Sequence, residues 1–391
     1  MRIEYFSYFS HKKYVPLLLI LIAVFFPPPA PADSGVTGEY IIVGQSCALS
    51  GPARDLGIHM KAGIEAAFKQ CNEGSMVNGR KVLLVSMDDY YEPGQAIRNT
   101  NHLIYMDKVF ALIGEVGTPT SKAVVPIAAT ARVPFLAPYT GARFLREPTH
   151  KNVINIRAGY DQETERIARY LVEQKSFTRI ACFYQNDSYG RAGLAGIKNA
   201  LLRRNLNLVA VDTYQRNTLA VMGGFLRIRA ADPQAVLLVG AYQPAAEFIK
   251  LGRAKGMTDT LFCSLSFAGS GSLKRALRDI ETGIIISQVV PSPEHTDLEI
   301  NRDYQQAMAD FQPELKLGYI SFEGYIAGRF FIEAARRVTG KLTRHKFMNT
   351  IEQTRHFNLG GLEMKFAPND HQGLDRIYLT TIRDNRIVPL D

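Results

Sequence analysis

The chain has no tryptophan among its 391 residues, so any aromatic surface in it is built from its 21 Phe and 18 Tyr. It has only four cysteines, Cys47, Cys71, Cys182 and Cys263, and none stands at the short C-x-x-C spacing of a metal or redox site. All four are expected to be buried free thiols, Cys182 and Cys263 within apolar strands, with a Cys47–Cys71 bridge as the alternative. The formal charge is +9, yet no run of five or more basic residues occurs. A scattered excess of this kind is an ordinary basic surface and argues against nucleic-acid binding. The sequence contains no G-x-S-x-G, no H-E-x-x-H and no Gly-Lys-Ser/Thr phosphate loop, and its eight His are dispersed. Those absences predict a protein that is not an enzyme and that carries no cofactor or metal.

Long apolar runs are also missing. The run from Val15 to Phe26 is 12 residues, short for a membrane span, and no other stretch is long enough. Lys12 and Lys13 precede that run, and a proline-rich segment after it ends in Ala30-Pro-Ala32. A positive flank, a short apolar core and small residues at the end predict a secretory signal peptide over residues 1–32, with an uncleaved anchor as the alternative. Export makes disulfides possible without requiring them.

What remains is a regular alternation. Apolar runs at 39–44, 81–87, 109–113 and 133–137 predict strands, and the segments between them have apolar residues at helical spacing. The pattern restarts at Val153 to Arg157 and continues with strands at 179–184, 208–214, 235–240, 261–264 and 284–289. Strand–helix alternation implies a parallel sheet, and two tandem runs imply two doubly wound α/β units. Three helices follow, at 303–310, 319–338 and 342–353, the last beginning after Thr343 as a cap. The tail reads as hairpin, with strands at 362–366, 376–383 and 386–389 and Asp384-Asn385 as a turn.

The stretch Gly114 to Phe144 is the most informative. An apolar run breaks into Gly-Glu-Val-Gly-Thr-Pro-Thr-Ser, an alanine-rich helix follows, and a second short run breaks into Pro-Tyr-Thr-Gly-Ala. Ligands of open α/β sheets sit at the carboxyl ends of the strands. These two polar loops are therefore expected to form two lips of a small-molecule site.

Four markers, in order and spacing, carry a resemblance to a known family. They are Ala48-Leu-Ser-Gly-Pro52, Asp88-Asp89 with Pro93-x-x-Ala96, Gly114-x-x-Gly-Thr-Pro-Thr120, and Gln185-Asn-Asp-Ser-Tyr-Gly190. Phe322-Glu-Gly-Tyr325 with Leu342-Thr-Arg344 adds a fifth. From about Glu39 to the C-terminus the chain resembles the type I periplasmic solute-binding proteins of the branched-chain amino acid group, which serve ABC transporters. The resemblance implies two lobes joined by three crossovers that close over a ligand like a hinged trap. Lobe one would be 38–157 plus 289–372 and lobe two 158–288 plus 373–391, with crossovers near Arg157, Gln288 and Gly373. It implies a periplasmic monomer that binds a small amino-acid-like or carboxylate solute and hands it to an ABC transporter permease. A sensor of the same fold, acting on a separate partner, is the alternative.

The same resemblance implies site residues. Thr118 would offer a hydroxyl to a ligand carboxylate, and Thr140 and Gly141 would form a second carboxylate-binding loop. Neutral hydroxyls and backbone amides suit that task because they replace water around the anion without a buried counter-charge. Tyr189 and Tyr242 would close on the ligand from lobe two, each with a flat apolar face and a polar tip. Asp161 would meet a ligand ammonium near the first crossover, or act as a helix cap. Tyr139, Tyr160 and Phe267 would line an aromatic-friendly pocket. One departure stands out: Ser266 occupies the position where amino-acid binders of the family place an acid. An ammonium without a carboxylate partner is costly to bury. The departure weighs against an α-amino acid and opens, beside the amino acid that the family implies, an amide or a small carboxylate, including an aromatic acid. Asp88 and Asp89 read as structural.

Overall fold

A computed structural model describes Met1 and residues 34–390. The expected signal peptide lies, apart from Met1, outside the described residues. No described helix is long and apolar enough to cross a membrane.

The strands segregate into two main sheets. The first is fully parallel, with the order β2-β1-β3-β4-β5. Its strands are β1 (Tyr40–Cys47), β2 (Lys81–Asp88), β3 (Ala111–Ile113), β4 (Phe135–Leu136) and β5 (Val153–Ile154). Helices α1 (Arg54–Glu73), α2 (Pro93–Tyr105) and α3 (Thr118–Thr130) supply the connections. The second sheet contains β6 (Ile180–Gln185), β7 (Ala210–Tyr214), β8 (Ala235–Val239), β9 (Leu261–Ser264) and β10 (Ile284–Gln288), all parallel. Its helices are α4 (Tyr160–Arg169), α5 (Ser188–Leu202), α6 (Met222–Ala230), α7 (Tyr242–Ala254) and α8 (Ser270–Leu277). At its far edge β13 (Tyr378–Arg383) pairs antiparallel with β10, and β14 (Arg386–Pro389) pairs with β13. Asp384 and Asn385 turn that hairpin with φ of 49° and 55°, the left-handed values that the tight hairpin turn needs and that Asn and Asp tolerate.

Two doubly wound sheets make two lobes, as the strand–helix alternation predicts. The chain passes from the first to the second after β5. It returns after β10 to α9 (Glu299–Phe311), α10 (Tyr319–Arg336) and α11 (Arg344–Thr354), which belong to the first lobe. It passes back a last time before β13. Thr343 caps α11 by accepting from the Lys346 amide at 3.2 Å. The next residue, Arg344, donates to the carbonyls of Phe110 (2.9 Å) and Val109 (2.7 Å) at the start of β3. That explains the Leu-Thr-Arg signal: a buried guanidinium ties the helix to backbone carbonyls at the entry to β3.

Helix α10 is buried along almost its whole length. Small residues let it lie directly on α1. A Cβ on Gly63 would stand 1.9 Å from the Ser321 carbonyl oxygen, and one on Gly324 would stand 2.3 Å from that of Met60. This close crossing fixes the height of Glu323 above the first sheet. The hairpin reading of 362–366 needs one correction. Leu362–Lys365 (β12) pairs not with the tail but with His356–Leu359 (β11), across Gly360-Gly361. The alternation in His-Phe-Asn-Leu, four residues long, is too brief to separate from a helix end.

Candidate functional site

In each sheet the strand order reverses once: around β1 and β3 in the first, around β6 and β8 in the second. Such switch points open a crevice at the carboxyl ends of the strands. The loops that face each other across the lobes follow β3 at one such point and, beside it, β4, β5 and β9.

In lobe one, β3 ends at Ile113 and the chain reaches α3 through Gly117, whose φ is 108°. A Cβ there would meet the Tyr91 ring at 2.2 Å, so the loop needs glycine for both its dihedral and its space. Thr118 opens α3. Its hydroxyl lies 2.6 Å from that of Thr140, which donates to the Tyr160 hydroxyl at 3.2 Å. All three residues are buried. Gly141 is packed against Tyr160, where a Cβ would come within 2.6 Å of the ring. Tyr139 reaches across to lobe two and donates to the Ser266 carbonyl at 2.9 Å.

The opposing wall is aromatic. The Tyr189 ring lies 4.4 Å from Phe267 and 5.4 Å from Tyr160, centre to centre. Phe267 in turn lies 5.5 Å from Tyr139 and 6.0 Å from Tyr91. Tyr189 is completely buried, and its hydroxyl has no hydrogen-bond partner among the described residues. An unmatched buried hydroxyl is costly, so it marks a place that expects a polar group or a water. Burial pushes the Tyr160 phenol up to about 12, leaving it a neutral donor–acceptor at any ordinary pH.

A buried ion network closes the base of the crevice. Arg157, on the first passage between lobes, has no exposure. It donates to Glu163 (3.3 Å) and to the Ser266 hydroxyl, and lies 3.4 Å from Glu323. Its guanidinium also sits over the Tyr139 ring, 4.8 Å from the centre. Burial opposes the Arg157 charge, but the carboxylates of Glu323 and Glu163 outweigh it and hold the group ionised. Glu163 accepts two further bonds, from the Ser266 amide (2.8 Å) and the Ser287 hydroxyl (2.6 Å). Burial pushes Glu323 up to about 7 despite the neighbouring Arg157. In lobe one, burial and the nearby Asp89 raise the Glu115 carboxyl well above its usual range, and neither of its oxygens has a hydrogen-bond partner among the described residues.

Thr118, Tyr139, Thr140, Gly141, Tyr189 and Ser266 are therefore brought together, with Tyr160 and Phe267 beside them. Two other expected residues lie elsewhere. Asp161 is exposed in the first turn of α4 and is neither in the crevice nor the helix cap, which is Gly159. The buried face of that helix is Tyr160, Glu163, Thr164 and Ile167, spaced 3, 4 and 7 residues from its first member. Position 161 falls about 100° away from it. Glu163 is the acid that faces inward. Tyr242, at the start of α7, is buried at the rim, where its hydroxyl sits beside Asp55 of lobe one; burial, with that carboxylate adding, raises it to about 12.

Sequence reading did not place Tyr91, Arg157, Glu163 or Glu323 in the site. Their signals were present: Arg157 ends the apolar run Val-Ile-Asn-Ile, and Glu323 interrupts an apolar helix. A charge inside an apolar pattern is expected to find a partner. Asp88 and Asp89 cap the amides of Tyr90 (3.0 Å) and Tyr91 (2.8 Å), which both have positive φ. The four cysteines are buried and free, so Cys47 and Cys71 are not bridged. Arg216 of lobe two meets Glu92 of lobe one at 2.7 Å, and Arg275 meets Asp55 at 2.7 Å, so both rims of the crevice are tied.

Comparison with known proteins returns one architecture. A family model described as periplasmic binding protein matches residues 41–386. A possible leucine/isoleucine/valine-binding protein from Rhodopirellula baltica SH 1 is 35% identical, with 92% of this chain and 98% of that one covered and a TM-score of 0.86. A substrate-binding periplasmic protein from Ralstonia solanacearum is 30% identical over 89% of this chain and 99% of that one, with a TM-score of 0.84. Among curated relatives, Leu/Ile/Val-binding protein homolog 7 of Brucella suis is 22% identical, covering 83% of this chain and 82% of its own length.

Proposed function

Because this chain belongs to the periplasmic binding protein family, we propose that it is the substrate-binding component of an ABC uptake transporter. In this reading it binds one small amino-acid-like or carboxylate solute in the crevice and delivers it to a membrane permease. It works as a monomer in the periplasm, exported by the segment 1–32. The names of its relatives in Rhodopirellula, Ralstonia and Brucella support a solute-binding role.

The observation that carries the proposal is the Thr118–Thr140–Tyr160 hydroxyl cluster at the first turn of α3, facing a wall of rings from the other lobe. Hydroxyls and first-turn amides suit a carboxylate. The rings of Tyr189 and Phe267 suit an apolar body. The lobes, 38–157 plus 289–372 and 158–288 plus 373–391, would hinge at the three passages near Arg157, Gln288 and Gly373.

A thermal-shift screen tests this. A solute that binds only the folded state at 100 times its Kd adds about 2.7 kcal/mol of stability. For domains of this size that is roughly 5–10 °C in Tm. Thr118→Ala and Tyr189→Ala each weaken binding of the same solute while leaving the fold intact. Unchanged affinity in both variants refutes the site. A protein partner that stabilises the chain when no small solute does would favour the sensor role instead.

A further inference from the structure

Ser266 is expected from the sequence to face the solute, but each of its polar groups has a partner within the protein. Its carbonyl accepts from the Tyr139 hydroxyl at 2.9 Å. Its hydroxyl accepts from Nη2 of Arg157, and its amide donates to Glu163 at 2.8 Å. Behind it, Oε1 of Glu323 and Nη1 of Arg157 make no hydrogen bond among the described residues, yet they face each other 3.4 Å apart as an ion pair. Ser266 thus braces the two lobes.

The group that reaches Ser266 is the Tyr139 side chain. Its backbone is pinned to the neighbouring lip, the amide donating to the Glu115 carbonyl at 2.7 Å and the carbonyl accepting from the Gly117 amide at 3.3 Å. From that fixed point the phenol crosses to lobe two. The Arg157 guanidinium sits over its ring, 4.8 Å from the centre, and the Phe267 ring lies 5.5 Å away, tilted by 32°. The Tyr139 ring is buried. Protein interiors are close-packed, so solute atoms can enter this end only by displacing a ring that is held at its tip and on its flanks. The next residue keeps other company: the Thr140 hydroxyl meets those of Thr118 and Tyr160. Tyr189 lies beside Tyr160, and its buried hydroxyl has no partner among the described residues. That orphan marks the Thr140 side as the one that expects a polar group.

We infer that Tyr139 is a specificity-determining residue: it walls off the Ser266 end of the crevice and confines the solute to the space among Thr118, Thr140, Tyr160 and Tyr189. This rests on the solute-binding reading above and adds a limit of size to it. The solute is short, an acetate-, acetamide- or glycine-sized molecule rather than one with the bulk of leucine or phenylalanine. A longer one must push the phenol off Ser266 and Phe267, with the penalty that overfilling a packed site carries.

Three series graded by size test this by calorimetric titration of the full chain. They are the carboxylates from acetate to hexanoate, the matching primary amides, and the amino acids glycine, alanine, valine, leucine and phenylalanine. In whichever series binds, the native protein is expected to prefer the smallest members and to lose about tenfold or more by hexanoate, hexanamide or leucine. Tyr139→Ala removes the wall and should move the preference toward larger members, which fill the space it leaves. Tyr139→Phe keeps the ring and loses only the bond to Ser266, so it should keep the native order of sizes, whatever its affinity. Tyr139→Leu is the second truncation if circular dichroism shows that the alanine variant does not fold. Native binding of leucine- or hexanoate-sized solutes as tight as that of the smallest overturns the inference. So does an order of sizes unchanged in the truncations, or a truncation that abolishes binding of the small solutes, since Tyr139 would then be a contact and not a wall. A solute from a broad library that binds only at larger size overturns it as well. In each of these cases the receptor reading stands. If no small solute of any class binds, the receptor reading itself falls and this inference with it.

Discussion

Replacing Glu163 by Gln keeps the size of the side chain and removes its charge. In the native protein one oxygen of Glu163 pairs with Arg157 and the other accepts from the Ser266 amide and the Ser287 hydroxyl. Neither Arg157 nor Glu163 has any side-chain exposure. A glutamine amide brings one acceptor and one donor, so its NH2 must point at a group that is itself a donor. Arg157 is left with only Glu323, whose own proton affinity is high because burial pushes it up to about 7. Breaking a buried ion pair from one side costs about 3–5 kcal/mol, a large share of a typical 5–15 kcal/mol stability. Urea unfolding followed by circular dichroism is expected to show that loss as a lower midpoint at an unchanged slope. Changing Arg157 and Glu163 together to Met removes both charges and should recover part of the loss. A cost below about 1 kcal/mol for E163Q, the range of exposed pairs, refutes the network as a structural element. A double variant as unstable as the sum of the singles refutes it equally.

The pH dependence follows from two acids. Burial pushes Asp89 and Glu323 up to about 7, above their ordinary values of 3.8 and 4.5, so the folded state holds protons that the unfolded chain releases. The stability they contribute is present at low pH and is lost as pH rises through about 4 to 7. Asp55 and Asp88 are shifted the other way: burial opposes this, but hydrogen bonds to Arg275 and Ser50 respectively, among others, bring them below the carboxylate norm, so they act only at more acid pH. Thermal unfolding should thus occur at a higher temperature at pH 5.5 than at pH 8, with a smaller difference in Glu323→Gln; a flat profile in the native protein contradicts the burial argument. A third test concerns the helix crossing. Gly63→Val forces side-chain atoms against the Ser321 carbonyl and should cost about 3 kcal/mol, the upper end of overpacking. A neutral Gly63→Val in urea unfolding would mean that α1 and α10 do not cross this closely.

The fold was legible because its signals are local. The apolar runs of β1, β6, β8 and β10 stand between Gly- and Pro-bearing loops, and α10 shows its periodicity over 18 residues. The lip residues Thr118, Thr140 and Gly141 were legible for the same reason: a strand end followed by a polar loop is a pattern within one segment. The pairing of β11 with β12 was not, because each strand is four residues long. Tyr91 was hidden behind its neighbour Tyr90, since adjacent residues of equal type differ only in direction; one is buried and the other exposed.

By itself the sequence determined the two α/β units, the loops that carry hydroxyls and rings, and the absence of catalytic motifs. Only the tertiary structure decided what those loops meet. Arg157 and Ser266 are 109 positions apart, and Tyr139 and Ser266 are 127 apart. No periodicity links residues at that separation. Their contact arises where strand-end loops of the two lobes meet, and it turns a serine that looked like a missing acid into a seat for the protein's own guanidinium. Helical phase made the other choice. It turned Glu163 into the network and Asp161 into water, two residues apart on one helix, because a helix of 3.6 residues per turn can bury only one of them.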